Sequence, residues 1–125
     1  MERPFVVCHM LTSLDGKIDG TFFGVPETVP AIKAYGELRS FYGCQATLYG
    51  TTTMLAGGGI VNGSFLAENL VDELSLVIAP VADGGNGVSS FTQVDFLPSW
   101  PPTAFHLKEV QTVVPNVLWV RYTRP

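Results

Sequence analysis

The stretch Pro4-Phe5-Val6-Val7-Cys8-His9-Met10-Leu11-Thr12-Ser13-Leu14-Asp15-Gly16-Lys17-Ile18 decides the fold. Pro4 to Met10 is short, rich in β-branched and aromatic residues, and bounded by Pro and then by Thr12-Ser13. That pattern reads as a buried strand. Asp15-Gly16 and Asp19-Gly20 carry turn chemistry, so the strand runs straight into a tight reversal.

Downstream, Thr21 to Val29 reads as a loop containing Gly24 and Pro26. Pro30 suits a helix start, where its missing N–H has no partner to lose. Ile32, Tyr35 and Leu38 follow at near-helical spacing, and Gly43 can stop the helix in a left-handed cap. Gly36 weakens that helix. Ala46 to Tyr49 reads as a second strand. Ser64 can cap a helix with Phe65, Leu66, Leu70 and Leu74 inward, and Leu74 to Ala79 reads as a strand closed by Pro80. Asp83 to Pro102 is turn-rich. Ala104 to Val110 and Val117 to Tyr122 form an antiparallel hairpin with a longer loop around Pro115-Asn116. The order of elements predicts an α/β domain with an antiparallel edge.

The 125 residues argue for one domain, 1–125, with one core. At 46% hydrophobic and 14% charged residues the chain is neither disordered nor fibrous. Seven basic residues are scattered under a net charge of −4, which argues against a nucleic-acid partner, since phosphate neutralisation needs clustered cations. No secretory signal or membrane-spanning run is visible. The two cysteines, Cys8 and Cys44, read as reduced thiols of a cytoplasmic protein. With no CxxC pair and no Cys/His cluster, no metal site is expected.

Three features carry candidate chemistry. Gly57-Gly58-Gly59-Ile60-Val61-Asn62 lies between a strand and a helix, where glycines let backbone N–H groups approach a phosphate at the positive helix end. Asn62 breaks the G-x-G-x-x-G fingerprint, and a tight structural turn is the competing reading. Asp15 is either an Asx-turn residue or a group that orients a polar substrate edge or supplies a proton. Thr51-Thr52-Thr53 offers hydroxyls to phosphate or ribose, or simply ends a strand. His9 reads as packed or backbone-bonded, and His106 as facing outward.

Taken together, several segments resemble the reductase domain of riboflavin biosynthesis, a member of the dihydrofolate reductase-like group. Arg3 to Ile18, with its S-L-D-G-K-I turn, is similar to that family's opening. Tyr49-Gly50-Thr51-Thr52-Thr53-Met54 is similar to its G-x-x-T segment. The three glycines with Phe65-Leu66, then Leu70-Val71-Asp72-Glu73-Leu74-Ser75-Leu76 and Ala79-Pro80-Val81, look like its glycine loop, helix, V-D-E-L turn and next strand. The resemblance implies a dihydrofolate reductase-like mixed sheet flanked by helices. It also implies hydride transfer from NADPH to a pyrimidine- or pterin-like substrate, and a homodimer. By the same resemblance Thr12 and Thr53 would touch the cofactor, and Gly57, Gly58, Gly59, Ile60, Val61 and Asn62 would wrap its pyrophosphate. Asp15 would stand near the reacting centre and Arg39 would meet a substrate phosphate.

Two departures qualify the implied activity. Ala56 stands where the family commonly has an acidic residue facing substrate. The family's middle segment is also missing between Met54 and Leu55, and parallel neighbours need a dozen or more connecting residues. The alternative is therefore a non-catalytic nucleotide-binding or structural relative. A Cα separation at 54/55 far beyond about 3.8 Å would mark absent residues.

Overall fold

The structure is a computed structural model, and it describes residues 5–18, 20–44, 70–85 and 103–125. Within these, four strands form one sheet in the order β1-β2-β4-β3, with β1 Val7–Thr12, β2 Glu73–Ile78, β3 His106–Val114 and β4 Val117–Thr123. β1 and β2 are parallel, in register from Val7 opposite Glu73 to Thr12 opposite Ile78. β4 is antiparallel to both β2 and β3. The helix α1, Val29–Tyr42, lies in the connection between the parallel pair. The expected α/β class with a mixed sheet and a C-terminal antiparallel hairpin therefore holds.

Three expectations need correction. β1 begins and ends later than Pro4 to Met10. Phe5 is 67% exposed, whereas Leu11 and Thr12 continue the ladder opposite Val77 and Ile78. The hairpin has no longer loop: β3 runs on to Val114, and only Pro115-Asn116 separates it from Val117. Pro before a residue at positive φ, here Asn116 at 70°, is the arrangement of a type II turn. The stretch after Ile18 is also not plain loop. Thr21–Gly24 and Pro26–Thr28 are 3₁₀ turns, and the first buries Phe22 in the core. The strand at 46–49, the helix after Ser64 and the 54/55 junction lie outside the described residues.

α1 covers one face of the sheet. Along β2 the buried residues are Glu73, Ser75 and Val77, alternating with half-buried Leu74, Leu76 and Ile78, as the two-residue period requires. The core gathers Leu11, Phe22, Ala31, Val77, Ala79, Val117 and Trp119, with Tyr35, Leu38 and Tyr42 of α1 packed against it. Pro30 in the first turn and a left-handed Gly43 at the end bound the helix as expected. Of the expected inner line, Tyr35 and Leu38 pack against the core and Ile32 does not. Ala31 and Ala34 are buried while Ile32 is 40% exposed. Two alanines remove little apolar surface from water, so most of the burial of α1 comes from the half-buried Tyr35, Leu38 and Tyr42.

Candidate functional site

The carboxyl ends of β1 and β2 meet in a knot of turns. Ala79 N–H donates to the Thr12 carbonyl at 2.8 Å, and Leu14 N–H to the Val81 carbonyl at 2.8 Å. The Ser13 hydroxyl accepts from Lys17 N–H at 2.9 Å and donates to Asp15 Oδ1 at 2.5 Å. Asp15 then reaches across the gap. Its Oδ1 accepts from Asp83 N–H and its Oδ2 from Gly84 N–H, both at 2.9 Å. Asp83 in turn accepts from Phe22 N–H at 2.7 Å, Thr21 Oγ1 at 3.1 Å and Gly85 N–H at 3.0 Å. The S-L-D-G turn and the segment after Pro80 are thus stapled by two carboxylates whose donors are mostly backbone N–H groups.

These bonds set the charge. The Ser13 hydroxyl, with the Asp83 and Gly84 N–H groups, holds the Asp15 carboxyl well below the ordinary 3.8. Phe22 N–H chiefly does the same for Asp83, against the repulsion of Asp15. Asp15 at neutral pH is a fixed anion with both oxygens engaged.

Thr12, the last residue of β1, is buried beside this knot. Next to it a cavity of about 240 Å³ is lined by Met10, Leu11, Ile18, Phe23, Ile32 and Tyr35. That is below the 300–1,000 Å³ common for drug-sized ligands, so these walls suit one flat ring rather than a dinucleotide.

Arg39 lies elsewhere. Tyr42 reaches Glu73 at the start of β2, Tyr35 stacks on His9, and Ile32 shares the cavity with Leu11, so α1 runs antiparallel to β1. Arg39 consequently sits toward the beginning of β1, with its guanidinium 5.6 Å from the Tyr35 ring centroid. Asp15 lies beyond the strand's other end. At roughly 3.3 Å per residue a strand of this length separates the two by well over 10 Å. Thr12 and Asp15 are brought together, and Arg39 is not. Thr53, Gly57, Gly58, Gly59, Ile60, Val61 and Asn62 lie outside the described residues.

A second polar centre, beneath α1, escaped the sequence reading. Glu73 is 1% exposed and accepts from Tyr42 Oη, from Arg121 Nε at 2.9 Å and from Lys108 Nζ at 3.3 Å. Burial pushes its carboxyl up, but Tyr42, Arg121 and Lys108 outweigh this and hold it below the ordinary 4.5. The Arg121 guanidinium lies 5.0 Å from the centroids of both Phe41 and Trp119. Beside it, His9 Nδ1 is 2.8 Å from Ser75 Oγ and Nε2 is 2.9 Å from the Tyr35 carbonyl. Trp119 Nε1–H donates to the same Ser75 Oγ at 2.7 Å. His9 is thus packed and backbone-bonded, as its place on β1 suggests. The V-D-E-L segment signalled the carboxylate, but not that β4 would bring Arg121 to it. Among the described residues no group of His, Cys, Asp and Glu is placed to hold a metal ion. No helix among them is long and apolar enough to cross a membrane.

A mixed parallel-antiparallel sheet with α1 over one face and a stapled turn at the strand ends defines an α/β domain of the kind found in riboflavin-biosynthesis proteins. Residues 45–119 match the RibD C-terminal domain family, and the chain belongs to that family. A Shewanella sp. PV-4 protein named for riboflavin biosynthesis superposes with a TM-score of 0.60 at 16% identity, over 98% of this chain and 99% of that one. Acinetobacter baumannii RibD aligns with 54% of this chain at 24% identity and a TM-score of 0.44. A pyrimidine reductase-like protein from Corynebacterium diphtheriae aligns with 50% at 25% identity and a TM-score of 0.43. The chain spans 19% and 25% of those last two proteins. No curated protein matches the sequence.

Proposed function

We propose that this chain is a reductase-type domain that binds NADPH and directs hydride to a pyrimidine- or pterin-like small molecule. The reaction would be of the 5-amino-6-ribosylaminouracil 5'-phosphate reductase kind, or more broadly dihydrofolate reductase-like. The family match over residues 45–119, which includes the glycine run, is the observation that carries this reading. NADPH, when bound, supplies the hydride. Thr12 would lie by the nicotinamide, Thr53 and the backbone of Gly57 through Asn62 would hold the phosphates, and the ring-sized cavity beside β1 would take a flat heterocycle. Asp15, kept anionic, orients a polar edge and fixes the turn. Arg39 would meet a substrate phosphate only on a ligand that extends along α1. The same reading includes a cytoplasmic homodimer, which sedimentation of the purified chain tests.

Titration with NADPH, followed by nicotinamide fluorescence, is expected to saturate, and Gly58→Asp is expected to weaken binding by setting a carboxylate against the pyrophosphate. Absence of saturable binding sinks the proposal. A second reading, an inert nucleotide-binding relative, is favoured by Ala56 in place of an acidic residue. Substrate-dependent loss of reduced-nicotinamide absorbance separates the two.

A further inference from the structure

The side chains around the cavity beside β1 grade from floor to rim. Leu11 and Ile18 are 5% and 4% exposed and form its floor, whereas Phe23 and Ile32 are 39% and 40% exposed and stand at its mouth. Large apolar side chains left facing water around a concavity are the mark of a ligand groove. The walls are also held before anything binds. Tyr35 stacks on His9 at 4.5 Å and 8° between planes. Phe23 leans on Phe22, with ring centroids 4.5 Å apart, and Phe22 is itself buried and tied through its N–H to Asp83.

The chemistry of this lining is one-sided. Apart from the weakly accepting sulfur of Met10, Tyr35 carries its only polar side-chain group, and that hydroxyl already donates to the His9 carbonyl at 3.2 Å. A monocyclic pyrimidine such as uracil has polar groups around most of its single ring. Pressed onto the floor of Leu11 and Ile18, those groups leave water and meet no side-chain donor, which weakens binding about fivefold or more for each. A ring edged by C–H groups gives up nothing there. Size agrees with this. An apolar cavity of about 150 Å³ accommodates benzene, so about 240 Å³ holds one ring of a fused pair and leaves the other at the mouth.

We infer that this cavity binds the carbocyclic ring of a benzo-fused heterocycle: the apolar ring enters toward Leu11 and Ile18, and the polar ring stays at the mouth between Phe23 and Ile32. The inference narrows the substrate class of the reductase reading, on which it rests only for the ligand's being the hydride acceptor. Binding of the ring itself, measured without nucleotide, is independent of that reading.

Three probes that share one dione ring test this on the full chain without NADPH: uracil, lumazine (its pyrazine-fused form) and quinazolinedione (its benzo-fused form). Methyl NMR follows each titration. Quinazolinedione is expected to shift the Ile18 and Ile32 methyls saturably and to bind at least about tenfold more tightly than uracil. Lumazine, with two nitrogens in its second ring, is expected to bind more weakly than quinazolinedione. Ile32→Asp sets a carboxylate at the mouth and is expected to weaken quinazolinedione about tenfold. The helix should survive it, since an acidic residue suits the first turns of α1. Uracil or lumazine binding as tightly as quinazolinedione, shifts that bypass Ile18 and Ile32, or an unchanged affinity in Ile32→Asp overturns the site. Should that variant not fold, the ranking of the three probes on the unmodified chain decides. Saturable NADPH binding without these shifts sinks the ring site and leaves the nucleotide reading standing; the shifts without NADPH binding do the reverse.

Discussion

Glu73 and Asp15 are both carboxylates held below their ordinary pKa, yet they are stabilised by opposite means. Glu73 is buried, and its partners are side chains from three other elements: Tyr42 of α1, Lys108 of β3 and Arg121 of β4. Asp15 is at the surface, and its partners are a neighbouring hydroxyl and two backbone N–H groups of a single segment. The first arrangement ties the helix and hairpin to the sheet, and its loss strands a charge in the core. The second ties loop to loop, and water can replace what is lost. Burial, rather than the number of bonds, sets what each centre is worth.

The sharpest way to break that comparison is to remove the cation from the buried centre. Arg121→Met leaves Glu73, among the described residues, with only Lys108 as a cation and strips the guanidinium from Phe41 and Trp119. Breaking a buried pair in this way costs roughly 3–5 kcal/mol, and the residual lysine favours the lower end. Lys108→Met, whose side chain is 47% exposed, is expected to cost about 1 kcal/mol or less. Urea unfolding of the two variants checks this. Equal losses would mean that Glu73 is not the buried hub described.

A smaller effect is expected where the surface centre is held by shape. Gly20 has φ 151°, and a Cβ there would lie 2.7 Å from Asp83 Oδ1. Gly20→Ala must therefore displace the carboxylate that organises Thr21, Phe22 and Gly85. Such glycine-only backbone costs on the order of 1–3 kcal/mol to impose on another residue. Thermal unfolding should register the loss, and NMR shifts should spread through residues 13–22 and 79–85 while leaving Tyr42 and Arg121 unmoved. Shifts reaching the Glu73 cluster would show that the two centres are coupled rather than independent.

How much was legible beforehand follows the same division. Local chemistry was visible in the residues themselves: the Asp15-Gly16 turn, Gly43 ending α1, the β-branched runs of β2 and β4, and the V-D-E-L segment. What was hidden depends on which strands become neighbours. Nothing local in Glu73 or Arg121 says that β2 and β4 adjoin, so the ion pair beneath α1 could not be read from either. The ends of β1 and β3 were misjudged because Leu11-Thr12 and Thr112 to Val114 gain their ladder partners only in the assembled sheet. On the inner face of α1, Tyr35 and Leu38 stand as their spacing suggests, but the fully buried positions go to Ala31 and Ala34, apolar and small, and Ile32 is left at the rim. Of the candidate site, the turn carrying Thr12 and Asp15 was legible as a unit. The placement of Arg39 at the far end was not, since it depends on the direction in which α1 crosses the sheet.

The mildest test separates the two centres by pH. Asp15 has a folded pKa below the ordinary 3.8, so the unfolded chain takes up its proton first as pH falls. Its contribution is fully present above 3.8 and drains away as pH falls through that value toward the folded one. Asp15→Asn removes this titration while keeping one acceptor oxygen in place. Stability measured by urea unfolding from pH 6 to pH 2 should therefore fall less steeply below pH 4 in Asp15→Asn than in the unmodified chain. His9, lowered in the fold, gives a slope of the same sign in a different window: its contribution is present above 6.5 and declines below it. Since the introduced amide does not titrate and His9 is untouched, the two curves should run parallel between pH 7 and 5 and separate only below 4. Curves parallel throughout would mean that the carboxylate at the turn is no more stabilised by folding than one in water, and that the bonds from Ser13, Asp83 and Gly84 contribute shape without contributing stability.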